Sequence, residues 1–388
     1  MKVLLASTNS EMFSGASKCL IELAKKLVDH KIGVVVVLSR SGMLEHELKK
    51  ANIKYYIIKE YQSWYIDQGM ENKYARIKRM ANLLTVRKIK QIIKYEHIDL
   101  VHENASTAYA AALAAEESHI PVVWHLREFM EEDLGITFFD SKYSEKIMNR
   151  ATRAIAISQA VKDKWTQRLH IPIQVIHDGL PIENYYIERK FKHHERLNIL
   201  IYGRIVPQKG QLFFFQAMAE YAKLYGNNRI HCSWAGLIED KSYYNSIIAF
   251  QHENSMESYC EFLGEVSNIK SILWNTDIVA VCSEMEGFGR VTVESMLAGT
   301  IVIGADTGAT KELIKDGENG YLYKNHNIES FISKLHWIVE NQEGARLSAK
   351  RGQASAIEEY SLEHDVEQVI ELYRTIVPHE HRRGRDDR

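Results

Sequence analysis

Cysteine is scarce and scattered. The 388 residues contain four, Cys19, Cys232, Cys260 and Cys282. None forms a CxxC pair, so neither a zinc site nor a disulfide framework is expected. Scattered thiols fit a reducing compartment. Long hydrophobic runs are missing too. The aliphatic run at 34–38 is far short of the ~20 residues that span a bilayer. The apolar start, residues 1–7, runs directly into Thr8-Asn9-Ser10-Glu11, unlike a secretory leader. Charge of one sign is also lacking. With 49 basic and 51 acidic residues the net charge is −2, so nothing draws the whole chain to nucleic acid. No GxGxxG follows a strand, which argues against a nicotinamide dehydrogenase, and no GxxxxGK with Ser or Thr is present, which argues against a P-loop enzyme. Internal repeats and low-complexity segments are absent.

What is present is an ordinary globular composition, 45% hydrophobic and 26% charged, with length enough for two domains. Short aliphatic runs alternate with helical patterns. KVLLAS reads as a strand. SKCLIELAKKLVDH follows with Leu20, Leu23, Ala24, Leu27 and Val28 at helical spacing. GVVVVLS, KYYIIKE, IDLVHEN, IPVVWHL, AIAIS and IQVIHDG continue as strands, several separated by helix-length segments. After the polar stretch ERKFKHHER the series restarts with LNILIYG, a helix QLFFFQAMAEYAKLYG, then IHCSWAG, CEFLG, DIVAVCS, IVIGAD and GYLYK. Repeated strand and helix predict two α/β halves with mostly parallel sheets. We place domains at 1–190 and 191–361, a final helix at 362–378 and a disordered tail at 379–388. Open parallel sheets bind ligands beyond the carboxyl ends of their strands, so the cleft between the halves is the expected site.

The segment SEMEGFGRVTVESMLAG places Glu286, Gly287, Phe288, Gly289, Arg290 and Glu294 in a loop that runs into a helix. Free N–H groups at that helix start attract anions, and glycines let a ligand approach the backbone. Two carboxylates facing one ligand fit diols, which donate to them; phosphate alone would be repelled. Cations for phosphate stand in YGRIVPQKGQ as Arg204 and Lys209, a guanidinium and an ammonium suited to a diphosphate. A sugar-nucleotide satisfies the whole set.

GRIVPQKG, FLGEV, EGFGRVTVE and GADTGATKELIKDGENGYLY together resemble retaining glycosyltransferases of family four, which have the GT-B fold. SGASKCL, DLVHEN, VVWHLREF, AIAIS and VIHDG extend the resemblance to the first half. It implies an acceptor-binding first domain and a nucleotide-sugar-binding second one facing a central cleft, with the last helix crossing back to the first. Glu286 would face the donor sugar, with the N–H groups of Phe288 and Gly289 near its hydroxyls. Glu294 would bind the ribose diol. Arg204 and Lys209 would neutralise the leaving diphosphate. His125 would donate to, or orient, the donor sugar. Gly15 would lie on the loop before the first helix, near the diphosphate and acceptor, and Val266 would border the base. Three positions depart from the family pattern: Ser14-Gly15-Ala16 replaces a glycine pair, Cys282 a common proline and Asp178 a frequent asparagine.

The implied reaction is glycosyl transfer with retention, from a UDP-sugar in preference to a GDP-sugar, to a lipid-linked or glycan acceptor in cell-surface polysaccharide or glycoconjugate assembly. No cofactor and no metal are expected, since the Asp-x-Asp with which GT-A transferases hold a metal stands at no strand end. A sugar phosphorylase, a sugar-nucleotide epimerase and a non-catalytic nucleotide-sugar scaffold are the competing classes. Arg127 and Glu128 receive no role beyond a possible pairing with each other. Residues 73–95 carry eight cations and no acid, with Ile77, Met80 and Leu84, then Ile89, Ile92 and Ile93, at helical spacing. Either this amphipathic stretch lies on an anionic membrane surface, a reading that Trp64 and Tyr65 favour, or its apolar face is core. The expected location is cytoplasmic, peripheral at the inner membrane face if the first reading holds.

Overall fold

The computed structural model describes residues 1–12, 15–68, 73–189 and 193–377. The predicted tail at 379–388 lies outside the described residues. The chain divides into two units, one spanning Met1–Gly179 plus the segment from Leu362, the other Leu180–Ser361. The division therefore falls after Gly179, where the sequence reading places it after residue 190.

The strands of the first unit are β1 (Lys2–Ser7), β2 (Gly33–Leu38), β3 (Lys54–Ile57), β4 (Tyr65–Asp67), β5 (Leu100–Glu103), β6 (Val122–Leu126), β7 (Ile136–Phe138), β8 (Arg153–Ala156) and β9 (Ile173–Val175). Its helices are α1 (Gly15–Asp29), α2 (Met43–Lys50), α3 (Ala75–Tyr95), α4 (Ala110–Glu116), α5 (Ser141–Met148) and α6 (Gln159–Trp165). Among the described residues the main sheet runs β3-β2-β1-β5-β6-β8-β9, all parallel. Its central strands are aliphatic on both faces because helices cover both. Leu20, Leu23 and Leu27 of α1 form part of the core beneath them.

The second unit begins with β10 (Leu197–Tyr202), α7 (Gln211–Tyr225), β11 (Ile230–Ala235), α8 (Lys241–Glu253), β12 (Cys260–Phe262) and α9 (Ile269–Leu273). It continues with β13 (Ile278–Val281), α10 (Arg290–Leu297), β14 (Ile301–Ala305), α11 (Thr310–Leu313), β15 (Tyr321–Tyr323), α12 (Ile328–Glu340) and α13 (Gln342–Glu359).

 Of these, α12 and α13 come last and close the unit. The sheet order is β12-β11-β10-β13-β14-β15, again parallel. Phe214, Phe215, Trp234 and Phe331 fill its core. Counted within each sheet, the strand order is 3-2-1-4-5-6-7 in the first unit and 3-2-1-4-5-6 in the second, the doubly wound pattern, whose ligand crevice lies where the winding reverses. That point falls between β1 and β5 in one unit and between β10 and β13 in the other.

The last helix, α14 (Leu362–Ile376), belongs to the first unit and packs on α1. Leu362, Val366, Val369, Ile370 and Tyr373 recur at helical spacing and are all buried. Each such side chain contributes roughly 1.5–3 kcal/mol, which is ample to hold the helix there.

Two readings of the sequence need correction. Trp64 is core and not a membrane-facing residue: it is 2% exposed, stacks on Tyr109 with ring centroids 4.5 Å apart, and donates its indole N–H to Ser106 O at 2.8 Å. It leads into β4, which pairs antiparallel with β7. The apolar positions of α3 are also not one face. Val86, Ile89, Ile92 and Ile93 are buried, whereas Ile77, Met80, Leu83 and Leu84 are 52–70% exposed. At 100° per residue the two groups lie on opposite sides of the helix. One face of this stretch is thus core, and a second apolar face stands in solvent beside exposed Lys73, Arg76, Arg87 and Lys88.

Candidate active site

In the second unit, three loops meet beyond the carboxyl ends of β10, β13 and β14. Gly210 has φ 69°, and a Cβ there would lie 2.0 Å from Cys282 O. The loop carrying Lys209 therefore rests directly on the end of β13. Glu284 N donates to Gln208 O at 3.0 Å, and Ala309 N to Glu286 O at 3.0 Å. The turns after β10 and β11 are as close, since a Cβ on Gly236 would lie 1.7 Å from Gly203 O.

This packing brings Lys209 and Glu286 together. Lys209 Nζ donates to Glu286 Oε1 at 2.6 Å, and Ser283 Oγ donates to the same oxygen at 2.5 Å. Burial raises the Glu286 carboxyl pKa, but the Lys209 charge, the two hydrogen bonds and the Arg204 charge outweigh it, leaving it below the usual range. Arg204 itself pairs with Glu239 at 2.7 Å on the surface.

Gly289 caps α10 with φ 93° and no side-chain cap, and the partial positive charge of a helix start favours an anion there. Phe288 is buried edge-on against Tyr360, 5.8 Å between ring centroids, and anchors the loop. Gly287 is half-buried beside it. Arg290 is the first helical residue and Glu294 follows one turn later, Arg290 Nε lying 3.8 Å from Glu294 Oε1. Tyr202 O–H donates to Glu294 Oε2 at 3.2 Å. Burial, then the Glu294 charge, pushes the Tyr202 hydroxyl well above its ordinary pKa, so it stays a donor. Tyr202 and Ser283 were missed by sequence reasoning. Their one signal is position, since Tyr202 ends β10 and Ser283 lies just beyond β13.

Val266 is half-buried after β12, the edge strand, two strands from β10. Gly15 and His125 lie in the first unit. Gly15 is not on a loop: it is the first residue of α1. His125 is on β6, 1% exposed. Its Nδ1 lies 3.1 Å from both His102 Nε2 and Arg127 Nη2. Burial, with the Arg127 charge, holds the His125 pKa well below the ordinary value. Arg127 pairs with Asp178, not with the Glu128 side chain; Glu128 Oε2 accepts instead from Arg127 N at 2.7 Å. Asn104 Oδ1 and O also accept from Arg127, and Asn104 Nδ2 donates to Ala16 O at 2.9 Å, so the switch point of this sheet is tied to the start of α1. Glu103, at the end of β5, is fully buried, and burial, then the charge of Glu60, raises its carboxyl to about 8.

Two family models cover most of the chain, "Glycosyltransferase Family 4" over residues 13–184 and "Glycosyl transferases group 1" over residues 185–355. This chain belongs to the family-four glycosyltransferases. An uncharacterized glycosyltransferase of Methanocaldococcus jannaschii is 26% identical over 306 residues, 78% of this chain and 82% of that one. A UDP-Gal:alpha-D-GlcNAc-diphosphoundecaprenol alpha-1,3-galactosyltransferase of Escherichia coli is 24% identical over 325 residues, 78% and 81% of the two chains. Among solved structures, Anabaena HepE with UDP superposes with a TM-score of 0.81 at 22% identity, covering 97% of this chain and all of that one, 100%. The fold is thus GT-B, two Rossmann-like α/β domains. Among the described residues no group of three or more His, Cys, Asp or Glu side chains is arranged to hold a metal ion, and no helix is long and apolar enough to cross a membrane.

Proposed function

We propose that this glycosyltransferase moves a sugar with retention from a UDP-sugar to a lipid-linked or glycan acceptor in cell-surface polysaccharide or glycoconjugate assembly. The observation that carries the reading is the convergence of Lys209, Glu286 and the start of α10 beyond β10 and β13. Lys209, Arg204 and the α10 N–H groups supply positive charge for the diphosphate. Glu294 accepts from the ribose diol, and Glu286 from the sugar hydroxyls. The names of similar proteins agree in kind: HepE was solved with UDP and with UDP-glucose, and the Escherichia coli relative uses UDP-Gal on a diphosphoundecaprenol-linked sugar by its name.

In the proposed mechanism the acceptor hydroxyl attacks on the face that the diphosphate leaves, and the leaving phosphate oxygen takes its proton. Lys209 and Arg204 act by stabilising the charge that develops on that oxygen; losing one such group typically costs ~2.7–4 kcal/mol of barrier. His125 serves the transferring sugar as a hydrogen-bond donor. With these cations in place the reaction needs no added divalent metal. The exposed apolar and basic face of α3 provides peripheral contact with an anionic membrane, where each cation adds ~1 kcal/mol.

Turnover of a UDP-sugar panel on lipid-diphosphate-linked sugars, with the product anomer read by NMR, tests this. Retention with full activity in EDTA is expected. Inversion overturns the mechanism, and loss of most transfer in EDTA overturns its metal independence.

A further inference from the structure

One buried chain of hydrogen bonds in the first unit has directions that a single residue decides. Arg127 is cationic, since Asp178 holds its charge against the cost of burial. A guanidinium only donates. Arg127 Nη2 lies 3.1 Å from His125 Nδ1, so that nitrogen is an acceptor and carries no hydrogen. A neutral imidazole then bears its hydrogen on Nε2. The same acceptor is 3.1 Å from His102 Nε2, which must be the donor of that pair. His102 Nδ1 is in turn an acceptor, and its partner, the Tyr373 hydroxyl at 2.5 Å, must donate to it. Three side chains from β5, β6 and α14 thus take one consistent set of proton positions: Tyr373 to His102, His102 to His125, Arg127 to His125.

The neutrality that this logic needs follows from the surroundings. His102 and His125 are 0% and 1% exposed. Burial, then Arg127, lowers the His102 pKa to about 3 and holds that of His125 well below its ordinary value, so both rings are neutral at pH 7. The chain also has a free end. His125 Nε2 is buried and has no hydrogen-bond partner among the described residues; Asp178 Oδ1, the nearest carboxylate oxygen in contact, is 3.9 Å away. A buried N–H without a partner is costly, and such a donor is used where a ligand oxygen satisfies it.

We propose that Tyr373 and His102 are positioning residues which, with Arg127, hold His125 in the Nε2–H tautomer and so present its one ring hydrogen to an oxygen of the transferring sugar. The role of that hydrogen rests on the reading of His125 as a residue of the transfer site. The helix α14 then has a task beyond packing, because it carries the hydroxyl that starts the relay. Its Asp365 anchors the same region, accepting from Gly179 N at 3.0 Å, next to Asp178.

The experiment is long-range proton–nitrogen NMR of the full chain labelled with 15N-histidine, with His102→Gln and His125→Gln assigning the two rings. In the wild type, both rings are expected with Nε2 protonated and Nδ1 bare. Tyr373→Phe removes the first donor, so the His102 Nδ1 resonance moves toward that of a bare, unbonded nitrogen and the tautomer ratio of His102 shifts by roughly 2- to 12-fold, the worth of one net hydrogen bond. His102→Leu removes one of the two donors to His125 Nδ1, so that resonance moves part of the way toward the unbonded value while Arg127 stays on it, and His102→Gln, whose amide can donate in place of the ring, restores it. A His125 ring protonated on Nδ1 in the wild type overturns the proposal, as does a His102 spectrum unchanged by Tyr373→Phe. The wild-type spectrum decides even where a variant does not fold. The measurement needs no ligand, so its failure is separate from failure of the donor-site reading, which calorimetry with UDP detects on its own.

Discussion

Replacing Lys209 with methionine leaves the Glu286 carboxylate without its cation. The side chains of the pair are 23% and 12% exposed, between a surface pair worth 0–1 kcal/mol and a buried one whose breaking costs 3–5 kcal/mol. We therefore expect Lys209→Met to destabilise the second unit by about 1–3 kcal/mol at neutral pH. Adding Glu286→Gln removes the stranded charge and should recover most of that loss. Amide exchange of buried β10 and β13 positions reads the second unit within the full chain. The effect has a sign in pH. In the wild type, burial raises the Glu286 pKa but Lys209 and Ser283 lower it further, so the group stabilises the fold above its unfolded pKa and loses that contribution as pH falls through the depressed value. Without Lys209, burial dominates and the folded pKa rises. The variant then loses stability as pH climbs through that value, and the gap to wild type widens from about pH 4 to pH 7. Additivity of the two substitutions within ~0.5 kcal/mol, or a gap that does not depend on pH, would refute the reasoning.

Three further outcomes are expected. Burial, then Glu60, raises Glu103 from 4.5 to about 8; the unfolded chain releases this proton first, so stability falls as pH rises from about 4.5 to about 8, and a thermal scan should find a flatter profile in Glu103→Gln, an equal slope counting against the assignment. Gly210→Ala should cost well over the ~1–2 kcal/mol of left-handed backbone strain, because its Cβ meets Cys282 O, whereas Gly317→Ala, with φ 76° and nothing within 4 Å, should cost the strain alone; equal melting shifts would contradict the close approach. Met80→Glu with Leu84→Glu should leave melting within ~0.5 kcal/mol and weaken sedimentation with anionic liposomes at low salt, and unchanged sedimentation would remove α3 from the membrane reading.

Most of the fold is legible in this sequence because its parallel strands are buried on both faces and write themselves as aliphatic runs such as VVVVL and IVIGA. The exceptions have physical reasons. β4 and β7 are three residues each, carry no aliphatic run and pair across some seventy positions. On α3, two apolar stripes on opposite sides merge into one pattern when only spacing is read, and burial alone separates them. Gly15 reads as loop because glycine and serine signal a turn, yet it opens α1. At the site, Lys209 and Glu286 are legible as types that suit a diphosphate and a sugar, and the structure pairs them. Ser283 and Tyr202 are ordinary residues until the loops fold onto each other. The partner of Arg127 illustrates the limit: its neighbour Glu128 is the local choice, but Asp178, 51 positions away, takes the guanidinium. His102 and Tyr373, separated by 271 positions, could not be linked by any local pattern.

The most direct test of the donor site is calorimetric titration of the full chain with UDP, GDP and ADP, repeated with Glu294→Ala. The account predicts that UDP binds most tightly and that the variant weakens it by roughly 10- to 150-fold, the worth of a hydrogen bond to a charged acceptor. Equal UDP affinity in wild type and Glu294→Ala, or no binding of any of the three nucleotides, would contradict it.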